Sequence, residues 1–227
     1  MKITFRILLV AAICAMTYLC VTSITTPIEF EETQNQREKA IIQKLIDIRS
    51  VELEYQKQKG VFCANSDTLV DFILNGQLPM VLKEGTLTDE QLKNGLTEEK
   101  ALKIIKRGKQ KEIEENGLVG FRRDTSYVSV YESLFAKKYT KEEIPSMLVI
   151  PFSNGQNFKL DTARITNPVT GITLPLFEAS ATFDSYLSDL NRQQLINLKD
   201  KESKIGRFCG LKVGSVTESN NHAGNWE

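Results

Sequence analysis

The strongest pattern in the chain is an uncharged apolar segment near its beginning. Residues 7–28 (ILLVAAICAMTYLCVTSITTPI) contain no charged residue, and Lys2 and Arg6 precede them. About 20 apolar residues are enough to cross the hydrocarbon core of a bilayer as a helix. Because basic residues favour the cytoplasmic side, residues 1–27 are interpreted as a transmembrane anchor or signal segment, with the N-terminus inside and the remainder exported.

Two alternatives to an uncleaved anchor stay open. Val21-Thr22-Ser23 would suit signal-peptide cleavage, although the uncharged run is longer than a typical signal-peptide core. A lipoprotein would need a small residue before its lipidated cysteine, and Leu19 precedes Cys20. Every one of these fates places the residues from Glu29 onward outside the cytoplasm.

A long helix is predicted to follow, in two parts. Residues 31–39 (EETQNQREK) are polar on every side, which indicates that residues 28–40 form a solvated helical stalk. From residue 41 the pattern changes, and it predicts a helix that packs on a globular body and ends at Gly60. The apolar positions at helical spacing are Ile41, Leu45, Ile48 and Tyr55.

Residues 41–219 are interpreted as one exported α+β domain. A short helix is expected before Gly76, and Thr88 and Thr97 are candidate N-caps in a charge-rich, loosely packed insertion at 86–117. A last amphipathic helix is expected at 182–204. Strand character is found at 78–85, 125–135, 146–152, 156–160, 171–180 and near 210, with turn signals at Asn154-Gly155 and 167–171. This order of elements favours an antiparallel sheet.

The composition argues against several classes of function. The 29 basic and 29 acidic residues give a net charge of zero, so no footprint for nucleic acid appears. The single histidine, His222, lies in the polar tail at 220–227, which disfavours metal sites and most acid–base chemistry. We therefore predict no enzyme activity, catalytic residue, cofactor or metal. The neighbouring carboxylates are interpreted as solvated helix faces: Glu52 and Glu54, Glu98 and Glu99, and Glu114 and Glu115.

Three residues remain as candidates for special roles. Cys63 and Cys209 are the cysteines of the exported part, where disulfides persist, and they are a candidate disulfide. The alternative is two unrelated buried thiols. Trp226, the only tryptophan, lies in the polar tail and is a candidate recognition residue, with packing back onto the sheet as the alternative.

The N-terminal third resembles type IV pilins and the pseudopilins of secretion systems. The resemblance covers residues 1–75, and it implies a membrane helix that continues outward and packs on a sheet in an assembly subunit. Unlike the leader of that family, the apolar run here contains neither Gly nor Glu. The matching residues are Ile48, Arg49, Val51, Glu52, Tyr55, Gly60 and Phe62, followed by Asp67, Leu69 and Phe72.

A second resemblance concerns the other end of the chain. Residues 210–215 (GLKVGS) and 220–227 (NNHAGNWE) are similar to the C-terminal ends of uncharacterised membrane-anchored envelope proteins of Bacteroidetes-type bacteria. This resemblance implies a bacterial inner-membrane protein with a periplasmic domain.

The resulting hypothesis is a non-enzymatic, membrane-anchored envelope protein whose exported domain binds or organises other envelope proteins. A pilin-like assembly subunit and an envelope enzyme of unidentified activity are the alternatives. A homo-oligomer also stays open.

Overall fold

The structure, a computed structural model, describes residues 2–166 and 171–227, and at 2–4, 6, 81, 83 and 123–125 it describes the backbone alone. It confirms the predicted α+β fold, whereas residues 167–170 of the predicted turn lie outside this description. The elements are α1 (Lys2–Lys59), α2 (Ser66–Asn75), β1 (Gln77–Glu84), α3 (Asp89–Lys93), α4 (Glu98–Arg107), α5 (Gln110–Glu115), β2 (Arg122–Ser129), α6 (Val130–Leu134), a 3-10 turn (Lys141–Glu143), α7 (Ile144–Met147), β3 (Lys159–Thr166), β4 (Thr173–Thr182), α8 (Phe183–Tyr186), α9 (Arg192–Lys204) and β5 (Gly210–Gly214).

Helix α1 runs for 58 residues through the apolar segment, with Pro27 inside it. It contains a segment long and apolar enough to span a membrane, and the large apolar side chains of that segment are exposed. The hydroxyls of Thr17, Thr22 and Thr25 donate to carbonyls four residues earlier, so these polar groups are satisfied within the helix. Such internal pairing suits a segment that lies in hydrocarbon.

The packed stripe of α1 begins earlier than the sequence indicated. Phe30 is buried, and the side chain of Arg37 donates to Asp189 and to the carbonyl of Tyr186. Residues 28–40 are helical as predicted, but they are not a fully solvated stalk, because one side of them packs on the folded body. Apart from Phe30, polar residues supply that side, so hydrophobic periodicity did not reveal it.

The chain divides into two compact units, of which the first comprises residues 1–73 and 138–227. Its sheet is antiparallel, in the order β3-β4-β5, and α1 packs on β4 and β5. The predicted stripe on α1 is confirmed, since Ile41, Leu45 and Ile48 are fully buried. Gly60 ends the helix at a positive φ of 74°, which a glycine adopts without strain.

Two predicted elements of the first unit are replaced by others. Residues 146–152 are not a strand: α7 is followed by a single bridge, Val149 to Asn157, across the predicted Asn154-Gly155 turn. The helix expected at 182–204 is split into α8 and α9. Asn191 begins α9 by accepting hydrogen bonds from the amides of Gln193 and Gln194, as a side-chain N-cap does.

The second unit comprises residues 74–137. Strands β1 and β2 form an antiparallel ribbon, and α3 to α5 lie between them in sequence. Thr88 and Thr97 cap α3 and α4 as predicted. The expected strand at 125–135 becomes β2 and then α6. The segment between the two strands has a small core of its own: Ala101, Leu118 and Phe121 are buried, with Leu87, Leu96, Leu102, Ile104, Ile105 and Ile113 packed on them.

A candidate binding cleft beside the C-terminal segment

An open cleft of about 550 Å³ lies in the first unit, between α1, α9 and the C-terminal segment. Its volume falls in the range of small-ligand sites. Helix α1 contributes the residues nearest the apolar segment, α9 and the loop after it contribute one wall, and residues 225–227 contribute another. The polar and aromatic lining residues used below are Gln34, Glu38, Glu202, Arg207, Lys212 and Trp226.

The C-terminal segment forms part of the cleft because it pairs with β5. The amide of Asn225 donates to the carbonyl of Lys212, and its side-chain oxygen accepts from the amide of Lys212 at 3.0 Å. Its side-chain amide donates to the carbonyl of Gly210 at 2.9 Å. Residues 220–227, predicted as a polar tail, thus follow the free edge of β5, and a bridge between Val213 and Gly224 continues the pairing.

Trp226 is half-buried in the wall of the cleft, and Gly224 makes its position possible. A Cβ atom at Gly224 would lie 2.4 Å from the indole ring, which is much closer than a van der Waals contact. Trp226 is the only tryptophan of the chain. The residue packs back onto the fold and lines the cleft, and its recognition role stays a prediction.

Arg49 fixes the same segment to α1. Its guanidinium donates to the carbonyl of His222 at 3.2 Å and to the carboxylate of Glu227 at 2.7 Å. Asn221 and His222 both have positive φ, so the chain turns sharply there. Arg49 was part of the pilin-like pattern, and its observed role is to hold the C-terminal segment against the helix.

The charges of the cleft are unevenly paired. Glu227 pairs with Arg49, and Lys212 pairs with Glu178 at 3.0 Å. Glu38 accepts from the side chains of Gln34 at 2.8 Å and Tyr186 at 3.3 Å, yet burial raises the pKa of Glu38, with nearby Glu202 adding to the rise.

In the part of the chain that the structure describes, three charged groups of the cleft have no ion-pair partner: the carboxylates of Glu38 and Glu202 and the guanidinium of Arg207. Of these, Glu38 already accepts hydrogen bonds from the side chains of Gln34 and Tyr186, whereas Glu202 and Arg207 remain free for contact. The indole N–H of Trp226 also lacks a partner within the described residues. One anion, one cation and one aromatic N–H are therefore available to a bound molecule. Within the same limits, no group of three His, Cys, Asp or Glu side chains could hold a metal ion.

The candidate disulfide is absent from the structure, which has both cysteines as free thiols. The thiol of Cys63 donates to the carbonyl of Asn65, and that of Cys209 to the carbonyl of Lys199. Each thiol thus has its own backbone partner. The alternative of two unrelated thiols describes the structure, with Cys63 buried and Cys209 half-buried.

Two acidic residues of α1 are buried: Glu52 was predicted from the sequence to lie on a solvated face, and no prediction was made for Asp47. Glu52, assigned to a solvated helix face, has 0% of its surface exposed, and Asp47 has 2% exposed. A signal for Glu52 was present, because it continues the stripe Ile41, Leu45 and Ile48 at helical spacing. Asp47 is stabilised by Lys138 at 2.6 Å and Tyr139 at 2.9 Å, partners that are far away in sequence.

Comparison with known proteins finds no matching family model, no matching curated protein and no matching solved structure.

Proposed function

We propose that this protein is a non-enzymatic component of the bacterial envelope, anchored in the inner membrane by α1, with its N-terminus in the cytoplasm. Its periplasmic part binds another envelope component in the cleft beside the C-terminal segment. The observation that carries the proposal is the cleft itself, with Glu202, Arg207 and Trp226 available for contact. Apolar surface beside a few unpaired polar groups is typical of binding sites.

The position of the cleft along α1 supports a role close to the membrane. Gln34 lies six residues beyond Ile28, the last residue of the apolar run, which is about 9 Å along the helix axis, and Glu38 lies about 15 Å along it. Since the packing on α1 begins at Phe30, no free stalk separates this unit from the apolar segment. A partner bound in the cleft would be held near the membrane surface.

A pull-down from solubilised membranes tests the proposal. The full chain should recover a consistent partner. Arg207→Glu should lose that partner, because reversing an unpaired charge in the cleft places like charges against the partner's complementary group. Arg164→Glu, a charge reversal on an exposed part of β3, is the matched control and should behave like the unchanged chain.

The proposal fails if no consistent partner is recovered, or if the two variants recover it equally. The second outcome would place the interaction elsewhere on the molecule, and the first would remove the binding role itself.

A pilin-like assembly subunit is the second candidate. It is favoured by one observation, that α1 continues without interruption from an exposed apolar half to a half packed on an antiparallel sheet. Assembly of this kind requires the N-terminal leader to be trimmed. Mass spectrometry of the N-terminus of the membrane-extracted protein decides this, because an untrimmed terminus rejects the candidate.

A further inference from the structure

Glu52 is buried without adequate hydrogen bonding. It lies on α1 two turns before Lys59, and one carboxyl oxygen, Oε2, accepts from the amide of Cys63 at 3.0 Å. The other, Oε1, is buried and has no partner among the described residues. A buried carboxylate is costly unless it is paired or fully hydrogen-bonded. One amide donor leaves this one largely uncompensated.

The groups that face Glu52 offer no opposing charge. Tyr55 on α1 and Cys63 on the following loop are the titratable neighbours, and no cation is paired with Glu52 in the described part of the chain. Burial raises the pKa of Glu52 to about 7. The hydrogen bond from the Cys63 amide lowers this pKa, but by less than burial raises it. Burial also raises the pKa of Cys63 and Tyr55, so neither supplies a competing charge near neutral pH.

A short series of contacts joins this carboxyl to the cleft. Phe62, next to Cys63, packs on Phe177 with ring centroids 4.8 Å apart, and on the ring of His222 at 5.2 Å. The His222 ring also stacks on Phe177 at 5.2 Å. His222 belongs to the C-terminal segment that carries Trp226 into the cleft wall.

We propose that Glu52 is a proton-operated latch: its neutral carboxyl holds the Cys63 segment closed against α1, and its ionisation loosens that segment and, through Phe62 and His222, the C-terminal wall of the cleft. The latch itself stands apart from the proposed function, and only its consequence for a bound partner rests on it. A neutral carboxyl tolerates its apolar surroundings, whereas an ionised one needs water, which reaches Oε1 only if the segment moves.

The fluorescence of Trp226 tests the latch directly, because it is the only tryptophan and lies in the wall that should move. In the full chain in detergent, emission followed from pH 5.5 to 8.5 should change with a midpoint near pH 7. Glu52→Gln keeps the shape but cannot ionise, so the change should disappear. Glu52→Leu serves the same purpose if the Gln variant does not fold. Glu54→Gln, two residues along the same helix, should keep the change.

Other groups near the path have their own controls. Burial and the nearby Arg49 lower the pKa of His222, so His222 titrates at a lower pH than Glu52 does. Glu38 lies in the cleft with a raised pKa. His222→Phe, which keeps a ring against Phe62 and Phe177 but cannot titrate, and Glu38→Gln should therefore both keep the midpoint near 7. The latch is overturned if either of these variants removes the change, if Glu52→Gln keeps it, or if the unchanged chain shows none.

Hydrogen exchange at the Cys63 amide gives a second readout that does not depend on the tryptophan. Its protection should fall at least tenfold between pH 6 and pH 8 after correction for the intrinsic rate, and Glu52→Gln should remove that fall. Equal pH dependence in both proteins would contradict the latch. Since neither readout requires a partner, failure of the proposed function would leave both results unchanged.

Discussion

Arg37 and Asp189 form a two-pronged ion pair that joins α1 to the loop between α8 and α9. The two guanidinium nitrogens lie 2.6 and 2.8 Å from the two carboxylate oxygens, and one of them also donates to the carbonyl of Tyr186 at 2.6 Å. The ring of Phe152 lies 5.1 Å from the same guanidinium. Arg37 therefore holds the mostly polar part of α1, at residues 31–39, against the rest of the first unit.

Replacing Arg37 by Ala should therefore lower the free energy of unfolding by about 1.5–3 kcal/mol, since charge-assisted hydrogen bonds are lost and a carbonyl is left without its donor. Asp189→Asn should cost less, about 0–1 kcal/mol, because Asp189 is mostly exposed. Urea unfolding of the full chain in detergent measures both. Lys57→Ala removes an exposed ion pair and is the control. Equal effects of Arg37→Ala and Lys57→Ala would contradict the anchoring role.

Gly224→Ala should displace Trp226, because the new methyl group would overlap the indole ring. We expect a loss of stability of about 1–3 kcal/mol, as for other overpacked sites, together with a red-shifted emission. Adding Trp226→Ala should remove most of the cost of Gly224→Ala, since the two residues are in contact. Strictly additive effects would show that the ring does not pack on the glycine.

Asp47→Ala should be among the most damaging substitutions in the first unit. The buried carboxylate binds Lys138 and Tyr139, and its removal leaves both without this partner, at a cost of about 2–4 kcal/mol. Burial and Asp47 raise the pKa of Tyr139. Asp47→Ala should accordingly make that tyrosine ionise at lower pH, which ultraviolet difference titration detects when compared with Tyr139→Phe. An unchanged tyrosine titration would contradict the contact.

The free energy of unfolding should depend on pH because Glu52 has different pKa values in the folded and unfolded states. Its pKa is about 7 in the folded protein against an ordinary value of 4.5, so between these values the folded state holds a proton that the unfolded state has lost. The free energy of unfolding should therefore fall with rising pH across this window, by about 3 kcal/mol, and become level above it. Subtracting the curve of Glu52→Gln isolates this effect, and a difference that is flat from pH 4.5 to 7 would contradict the burial of the carboxyl.

The fold was predictable where one face of an element is apolar. The stripe through Ile41, Leu45 and Ile48, the stop at Gly60 and the N-caps Thr88 and Thr97 all follow from local rules, and the structure confirms them. The burial of Arg37 and Asp47 could not be predicted, because each is stabilised by a partner about 90 to 150 residues away in sequence. Polar stripes of this kind carry no periodic apolar signal.

Of the residues that line the cleft, only Trp226 had been predicted from the sequence to take part in binding. That residue was singled out as a lone aromatic in a polar segment, but nothing in the sequence places it beside Glu38 or Glu202. The pairing of Asn225 with β5 and the ion pair of Arg49 with Glu227 bring these groups together. Both contacts are tertiary, and they convert the predicted tail into a wall of the cleft.

Site-specific photo-crosslinking in living cells tests most directly whether the cleft binds an envelope component. A photoreactive residue at position 202, inside the cleft, should yield a discrete cross-linked species of higher mass with the full-length anchored protein. The same residue at position 142, exposed and outside the residues that line the cleft, is the control and should yield none. We expect an adduct at position 202 alone. No adduct at 202, or the same adduct from both positions, would contradict it.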